Sequence, residues 1–78
     1  MFIELQNGTL YNISNCRKID FKQNGNMNYT IEFLFDDVTS LTLEYYSEDS
    51  LFKARRNLIK YMKENRAVIN YGDLINNA

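Results

Sequence analysis

A capped amphipathic helix, which the sequence predicts over 47–67, constrains the fold of this chain more than any other feature. Ser47 is a favourable N-cap residue, and Glu48 and Asp49 follow it where the helix dipole favours anions. At about 100° per residue, the apolar residues of this segment fall on one broad arc, with Phe52 at its edge. We expect this apolar arc to pack on a sheet. Its members are Leu51, Ala54, Leu58, Ile59, Tyr61 and Met62.

Short segments that alternate apolar and polar residues precede the helix, and such alternation is typical of antiparallel strands with one covered face. Asn7 and Gly8 separate the first two segments, and Asn24 and Gly25 separate the next two. An Asn-Gly pair tolerates the positive φ angles of a type I′ turn, so both pairs predict hairpins. The predicted strands are 1–5, 9–14, 17–22, 28–35 and 41–46.

These patterns predict an α+β fold, in which a single curved antiparallel sheet of four to five strands packs against one C-terminal amphipathic helix. The sheet is either open or curled into a partly closed barrel. The 78 residues form one domain, with the sheet over 1–46, the helix over 47–67, and a short extension and tail over 68–78. Residues 68–71 fit either a longer helix or an edge strand, and we expect 73–78 to be a loose tail.

The composition excludes several kinds of catalytic and metal site. The chain has no histidine, one cysteine and three glycines, which leaves no zinc site and no glycine-rich phosphate loop. The acidic pairs Asp36–Asp37 and Glu48–Asp49 fall in a turn and at the helix start, where carboxylates serve local geometry. We therefore predict a protein that is not an enzyme and that has no cofactor, no metal and no small-molecule substrate.

The cysteine content and the lengths of the apolar runs bear on localisation. A single cysteine is typical of a reducing compartment, and we expect Cys16 to be a small buried apolar group rather than a reactive thiol. The longest uninterrupted apolar run has three residues, as in 67–69, which is too short for a secretory segment or a membrane span. The expected location is the cytoplasm, without membrane contact.

Charge is unevenly distributed along the chain. Residues 1–50 contain eight acidic and three basic residues, net −5, whereas residues 51–78 contain six basic and two acidic, net +4. Four cations of the helix project within about 80° of arc, opposite the apolar arc. This basic stripe is either an ordinary solvated helix face or a surface for an anionic partner. Its members are Lys53, Arg56, Lys60 and Lys63.

Arg55 departs from the helix pattern because its angle places it inside the apolar arc. One interpretation is a buried or interfacial arginine paired with a sheet carboxylate such as Glu32 or Glu44. The other is an arginine whose stem crosses the edge of the core and whose charged head stays in water.

The second face of the predicted sheet contains two further candidate contact residues, Leu34 and Tyr46. Phe2 or Tyr11 joins them in some strand registers. A partly apolar sheet face that one short helix cannot cover is a docking surface, for a partner or for a second copy, unless curvature makes it internal.

Turn and cap signals give the chain a family resemblance. It has Met1 and Leu5 before an Asn-Gly hairpin, then the spaced residues Leu10, Asn12 and Ile19, and an apolar strand that runs into Ser-Glu before a helix. This layout resembles that of the small flagellar FlbD-type proteins. The resemblance does not extend to the basic helix, and it implies no function or site residue for this chain.

The sequence favours a small, non-catalytic protein-binding module. One form is a phage or mobile-element inhibitor of a host enzyme or defence nuclease, since such inhibitors are often small and acidic. The charge separation also favours a homodimer, in which the basic helix of one copy faces the acidic sheet of another. The alternative is a nucleic-acid-associated accessory protein that uses the basic stripe.

Overall fold

The computed structural model describes residues 1–25 and 28–76 and has an α+β fold. The chain forms two compact units: Met1–Ser14 with the chain from Lys53 onward, and Asn15–Phe52. We call these the first and second units. The elements are β1 (Phe2–Glu4), β2 (Leu10–Asn12), a 3-10 turn (Ile13–Asn15), β3 (Lys18–Gln23), β4 (Tyr29–Leu34), β5 (Ser40–Tyr45), α1 (Glu48–Lys63), β6 (Val68–Asn70) and α2 (Asp73–Asn76).

The strands form two three-stranded sheets, so the prediction of a single sheet of four to five strands is wrong. The first sheet has the order β2-β1-β6 and the second the order β3-β4-β5, and neither is a closed barrel. The 3-10 turn Ile13–Asn15 ends β2 and buries Ile13, which interrupts the extended chain before β3 begins. Alternation identifies each strand, but it carries no information on which strands pair.

The second unit contains a meander of three antiparallel strands of six residues each. The first turn is closed by the Asn24 amide, which donates to the Asn28 carbonyl at 2.7 Å, and Gly25 has a φ of 75°. Residue 26, which is part of the predicted hairpin signal, and residue 27 lie outside the described residues. The alternation predicted for β5 is confirmed, since Leu41, Leu43 and Tyr45 are buried and Thr42 and Glu44 are exposed. In β4, Ile31 and Phe33 are buried as predicted, but Thr30 of the opposite face is also buried and Tyr29 is half-buried.

The first unit contains the sheet β2-β1-β6. The predicted hairpin between β1 and β2 is confirmed: the Leu5 amide donates to the Thr9 carbonyl at 2.9 Å, and Gly8 has a φ of 86°. Val68–Asn70 is an edge strand that pairs parallel to β1, which decides between the two interpretations of this segment. Ile3 and Ile69 pair across the sheet and are fully buried.

Helix α1 begins where its cap predicts. The Ser47 Oγ accepts the Ser50 amide at 3.1 Å, and the Ser47 carbonyl accepts the Leu51 amide at 3.1 Å, so Ser47 satisfies two amides of the first turn. The apolar arc is buried at four of its six positions. Leu51, Ala54, Leu58 and Tyr61 are buried, Ile59 and Met62 are half-buried, and Phe52 at the edge is 50% exposed.

Helix α1 ends at Lys63, four residues before the predicted end. The Arg66 amide donates to the Tyr61 carbonyl at 3.2 Å, and the Asn65 amide donates to the Met62 carbonyl at 3.1 Å. This pair of bonds is a Schellman motif, and Asn65 takes its left-handed position with a φ of 55°. The Arg66 guanidinium lies 4.1 Å from the Tyr61 ring centroid, and this cation–π contact stabilises the chain that follows the turn. No helix of the described residues is long and apolar enough to cross a membrane.

The expectation of a loose tail does not hold for Asp73–Asn76, which forms α2. Leu74 is fully buried. The Asn57 Nδ2 donates to the Leu74 carbonyl at 2.6 Å, and the Tyr61 hydroxyl donates to the Asp73 carbonyl at 3.2 Å. Two side chains of α1 thus bind the backbone of α2, while residues 77 and 78 lie outside the described part of the chain.

The cap of α1 has a measurable consequence. Ser47→Ala should lower the free energy of unfolding by about 1 kcal/mol, because it removes the acceptor of an N-terminal amide. Urea unfolding followed by far-UV circular dichroism measures the loss. Ser50→Ala is the matched control, since it keeps the Ser47 Oγ; an equal loss in both variants would contradict this role of Ser47.

Candidate functional site

The basic stripe lies on one face of α1, within the first unit. Arg56, Lys60 and Lys63 are exposed and Lys53 is half-buried. The opposite face of the same helical segment contains the buried residues Ala54, Leu58 and Tyr61, as the helical period predicts. From first to last residue, the stripe runs about 15 Å along the helix axis, at a rise of about 1.5 Å per residue.

The four cations of the basic stripe differ from the other cations in their electrostatic surroundings. None of them lies within 4.0 Å of a carboxylate oxygen of the residues that the structure describes. Four other cations have acidic neighbours, which offset their charge locally. These ion pairs are Arg17–Asp37 at 3.0 Å, Lys18–Asp20 at 3.5 Å, Lys22–Glu32 at 3.0 Å and Arg66–Glu64 at 3.1 Å.

Arg55 is exposed, so its side chain is not part of the buried core. This exposure favours the interpretation in which the stem covers the edge of the core and the head stays in water. Ile59 lies four residues after Arg55 and four before Lys63, and it is half-buried. Because residues four apart are neighbours on a helix surface, Ile59 adds an apolar contact between these two cations.

Leu34 and Tyr46, the two candidate contact residues of the sheet, belong to the second unit, whereas the candidate residues of the helix belong to the first unit. Tyr46 follows β5 and is 79% exposed, whereas Leu34 is half-buried. Leu34 pairs with Lys18 on one side and with Ser40 on the other. Phe2 belongs to β1 and Tyr11 to β2, and both strands are part of the other sheet. No register of β3, β4 and β5 therefore places them in the same row as Leu34.

An open depression of about 460 Å³ is present beside Leu34. Its polar side chains already bind one another, the adjacent turn or, for Lys18, Asp20 of the same strand. Arg17 pairs with Asp37, and the Asp36 Oδ1 accepts the Val38 amide at 2.9 Å and the Thr39 amide at 2.7 Å. These amide hydrogen bonds hold the pKa of Asp36 below its usual value, so its carboxylate serves the turn between β4 and β5.

The outward face of the second sheet carries a cross-strand charge network that the sequence pattern did not predict. Asp20 and Glu32 lie directly opposite each other on β3 and β4, an unfavourable like-charge pair. The Lys22 Nζ lies 3.0 Å from Glu32 and 3.9 Å from Asp20, and Lys18 lies 3.5 Å from Asp20. The hydrogen bond and charge of Glu32 raise the pKa of Lys22. Alternation placed these side chains on one face, but only the register shows which of them meet.

Cys16 and the acidic residues were the candidates for a nucleophile and for metal ligands. Burial raises the pKa of the Cys16 thiol, which keeps the sulfur protonated and a poor nucleophile at neutral pH. Among the described residues, no group of three or more Cys, Asp or Glu side chains is arranged to hold a metal ion.

Comparison with known proteins adds no relative. No family model, curated protein or solved structure matches the chain. The resemblance to the FlbD-type proteins therefore has no family match behind it, and the candidate site rests on its own geometry.

Proposed function

We propose that this protein is a non-catalytic binding module that docks an acidic surface of another protein on the basic stripe. The observation that carries the proposal is the isolation of the stripe's charge. Its four cations share one helix face and have no described carboxylate within 4.0 Å. An acidic partner would neutralise them without breaking an ion pair among the residues that the structure describes.

The surroundings of the stripe favour a protein over a nucleic acid. The chain has ten acidic and nine basic residues, whereas nucleic-acid-binding domains usually have a clear excess of positive charge. Half-buried Ile59 lies between Arg55 and Lys63, and an apolar contact surrounded by charges is typical of protein interfaces. The exposed cations would mainly speed association and orient the partner, since each exposed ion pair contributes about 0.2–1 kcal/mol.

A specific form of this proposal is an inhibitor from a phage or mobile element that covers an acidic surface on a host enzyme or defence nuclease. Such a protein needs a rigid surface and no chemistry of its own. The 9.3 kDa mass and the negative net charge fit this form.

The test compares two variants with the same loss of charge. Arg56→Gln with Lys60→Gln removes two cations of the basic stripe, and Arg17→Gln with Lys18→Gln removes one arginine and one lysine from the second unit. The wild-type protein is immobilised, its partner is captured from a nuclease-treated lysate of the source cells and identified by mass spectrometry, and the purified pair is then titrated calorimetrically. We expect the stripe variant to bind roughly tenfold more weakly and the control to bind within about twofold of wild type.

Two results would refute this proposal. One is an equal loss of partner affinity in both variants, which would mean that binding depends on net charge rather than on the basic stripe. The other is a partner that the stripe variant binds as tightly as wild type does. Circular dichroism establishes that each variant is folded before its affinity is compared.

Nucleic acid is the second candidate partner, because the four cations lie at helical spacings of three, four and three residues along one face. If the stripe neutralises about four phosphates of a duplex, affinity should fall about a hundredfold between about 50 and 200 mM salt. Fluorescence anisotropy with a labelled DNA duplex and a labelled RNA measures this dependence. Binding that Arg56→Gln with Lys60→Gln leaves unchanged would exclude the stripe as the phosphate contact.

A further inference from the structure

An open pocket of about 340 Å³ lies in the first unit, beside the C-terminal end of α1. It is lined by residues from 1–14 and from 62–67. Its volume is within the range of about 300–1,000 Å³ that is usual for ligand pockets. Its lining is also of the usual kind, in which apolar side chains surround a few polar groups. The pocket is therefore large enough and suitably lined to hold a small chemical group.

The apolar part of the lining includes two methionine side chains that the protein itself does not cover. Met62 belongs to the apolar arc of α1, yet it is only half-buried, and it lines this pocket. Met1, which also lines the pocket, is half-buried as well, whereas Ile13 is buried. Methionine is flexible and adapts to the shape of the group beside it. An apolar group in the pocket would shield both methionines from water.

The polar part of the lining contains one guanidinium, that of Arg66, and no carboxylate. This guanidinium is held in place, since it stacks on the Tyr61 ring and its Nε donates to the Glu64 Oε1 at 3.1 Å. The Nε–H is only one of the five N–H donors of a guanidinium. No residue that the structure describes accepts a hydrogen bond from the terminal nitrogens of Arg66. Two such donors match the two oxygens of a carboxylate.

Two neutral polar residues complete the lining, Ser14 and Asn65. The Ser14 Oγ accepts a hydrogen bond from the Met1 nitrogen at 2.6 Å. The side-chain amide of Asn65 carries both donors and an acceptor, and it has no hydrogen-bond partner among the described residues. A peptide group also carries one donor and one acceptor. The Asn65 side chain therefore matches a peptide group of a bound chain.

We propose that this pocket binds the carboxyl-terminal residue of a peptide or protein chain when that residue has an apolar side chain. The terminal nitrogens of Arg66 donate to its carboxylate, and its side chain packs on Met1 and Met62. The peptide group that precedes the residue bonds to Asn65. Charge favours this occupant, because a carboxylate complements the guanidinium and meets no like charge in the lining. Capture of a terminal carboxylate is a recurring mode of peptide recognition.

The test titrates the isotope-labelled protein with short peptides and follows its backbone amide signals by NMR. Acetyl-Gly-Leu has a free carboxylate, its carboxamide has a neutral group in that place, and acetyl-Gly-Gly lacks the apolar side chain. We expect acetyl-Gly-Leu to shift the signals of residues 65–67, and the other two peptides to bind at least about tenfold more weakly. Equal affinity for the acid and the carboxamide would overturn the proposal. So would the absence of shifts at 65–67 up to about 10 mM acetyl-Gly-Leu.

Arg66→Gln tests the contact with the carboxylate. It should abolish the difference in affinity between acetyl-Gly-Leu and its carboxamide, whereas a purely structural role of Arg66 would leave that difference in place. Arg17→Gln is the matched control, since it also removes an arginine that is paired with a carboxylate, that of Asp37 at 3.0 Å. The control should keep the tenfold difference. A difference that survives in Arg66→Gln, or one that is lost in Arg17→Gln, would overturn the assignment.

Hexanoate distinguishes a chain terminus from a free carboxylic acid. It carries a carboxylate and an apolar group but no peptide group, so it should bind at least about threefold more weakly than acetyl-Gly-Leu. Hexanoate that binds as tightly as acetyl-Gly-Leu would overturn the proposed ligand class and assign the pocket to a free acid. None of the probes has an acidic side chain, and no cation of the basic stripe lines the pocket. A negative result here would therefore leave the function proposed for the stripe untouched.

Discussion

Leu74→Ala should lower the free energy of unfolding by about 2–5 kcal/mol, because it opens a cavity at a fully buried side chain. Leu74 belongs to α2, whose backbone is held by the Asn57 amide at 2.6 Å and by the Tyr61 hydroxyl at 3.2 Å. In a domain of 78 residues, such a loss is a large share of the total stability. Urea unfolding, followed by circular dichroism at fixed protein concentration, measures it.

Ile75→Ala is the matched control for this prediction. Ile75 is the next residue of α2 and is only half-buried, so its truncation should cost clearly less than that of Leu74. Similar small losses in both variants would contradict the packing of α2 within the first unit. A large loss for Leu74 alone would establish that the end of the described chain is part of the core.

Phe33→Ala should have the largest effect in the second unit, about 3–5 kcal/mol. Phe33 is fully buried in β4, the central strand, where it pairs with Ile19 of β3 and Leu41 of β5. Its truncation removes contacts to both neighbouring strands at once. Guanidinium unfolding, monitored by tyrosine fluorescence and by circular dichroism, measures the change.

Leu34→Ala is the control for Phe33→Ala. Leu34 is the next residue of β4, points to the opposite face of the sheet and is half-buried. Its substitution should cost no more than about half as much as that of Phe33. Equal losses would contradict the assignment of the odd-numbered residues to the core side of the sheet.

Local signals in the sequence predicted the elements that depend on nearby residues. Ser47 caps α1 as its side chain predicts, and Gly8 and Gly25 occupy positive-φ turns. The period of two separated buried from exposed residues along β5, whereas in β4 Thr30, on the face opposite Ile31 and Phe33, is buried as well. The end of α1 was missed because Asn65, rather than glycine, takes the left-handed position of the terminating turn.

The division into two sheets could not be read from the same signals. β6 pairs with β1, and the Asn70 Nδ2 donates to the Glu4 Oε1 at 3.2 Å across 66 residues of sequence. Val68–Asn70 contains three residues, too few for a period of two to be distinguished from a helix. Strand pairing is a competition among distant segments, and alternation is equally compatible with several outcomes.

The candidate site divides in the same way. The sequence by itself determined that Lys53, Arg56, Lys60 and Lys63 share a helix face, since helical geometry depends only on spacing. Only the tertiary structure decided that these cations have no carboxylate of the described residues within 4.0 Å, whereas Lys18 and Lys22 have one, and that β3 is an edge strand of its sheet. Helix faces and caps follow from interactions within a few residues, whereas ion pairs and sheet edges depend on which distant strands meet.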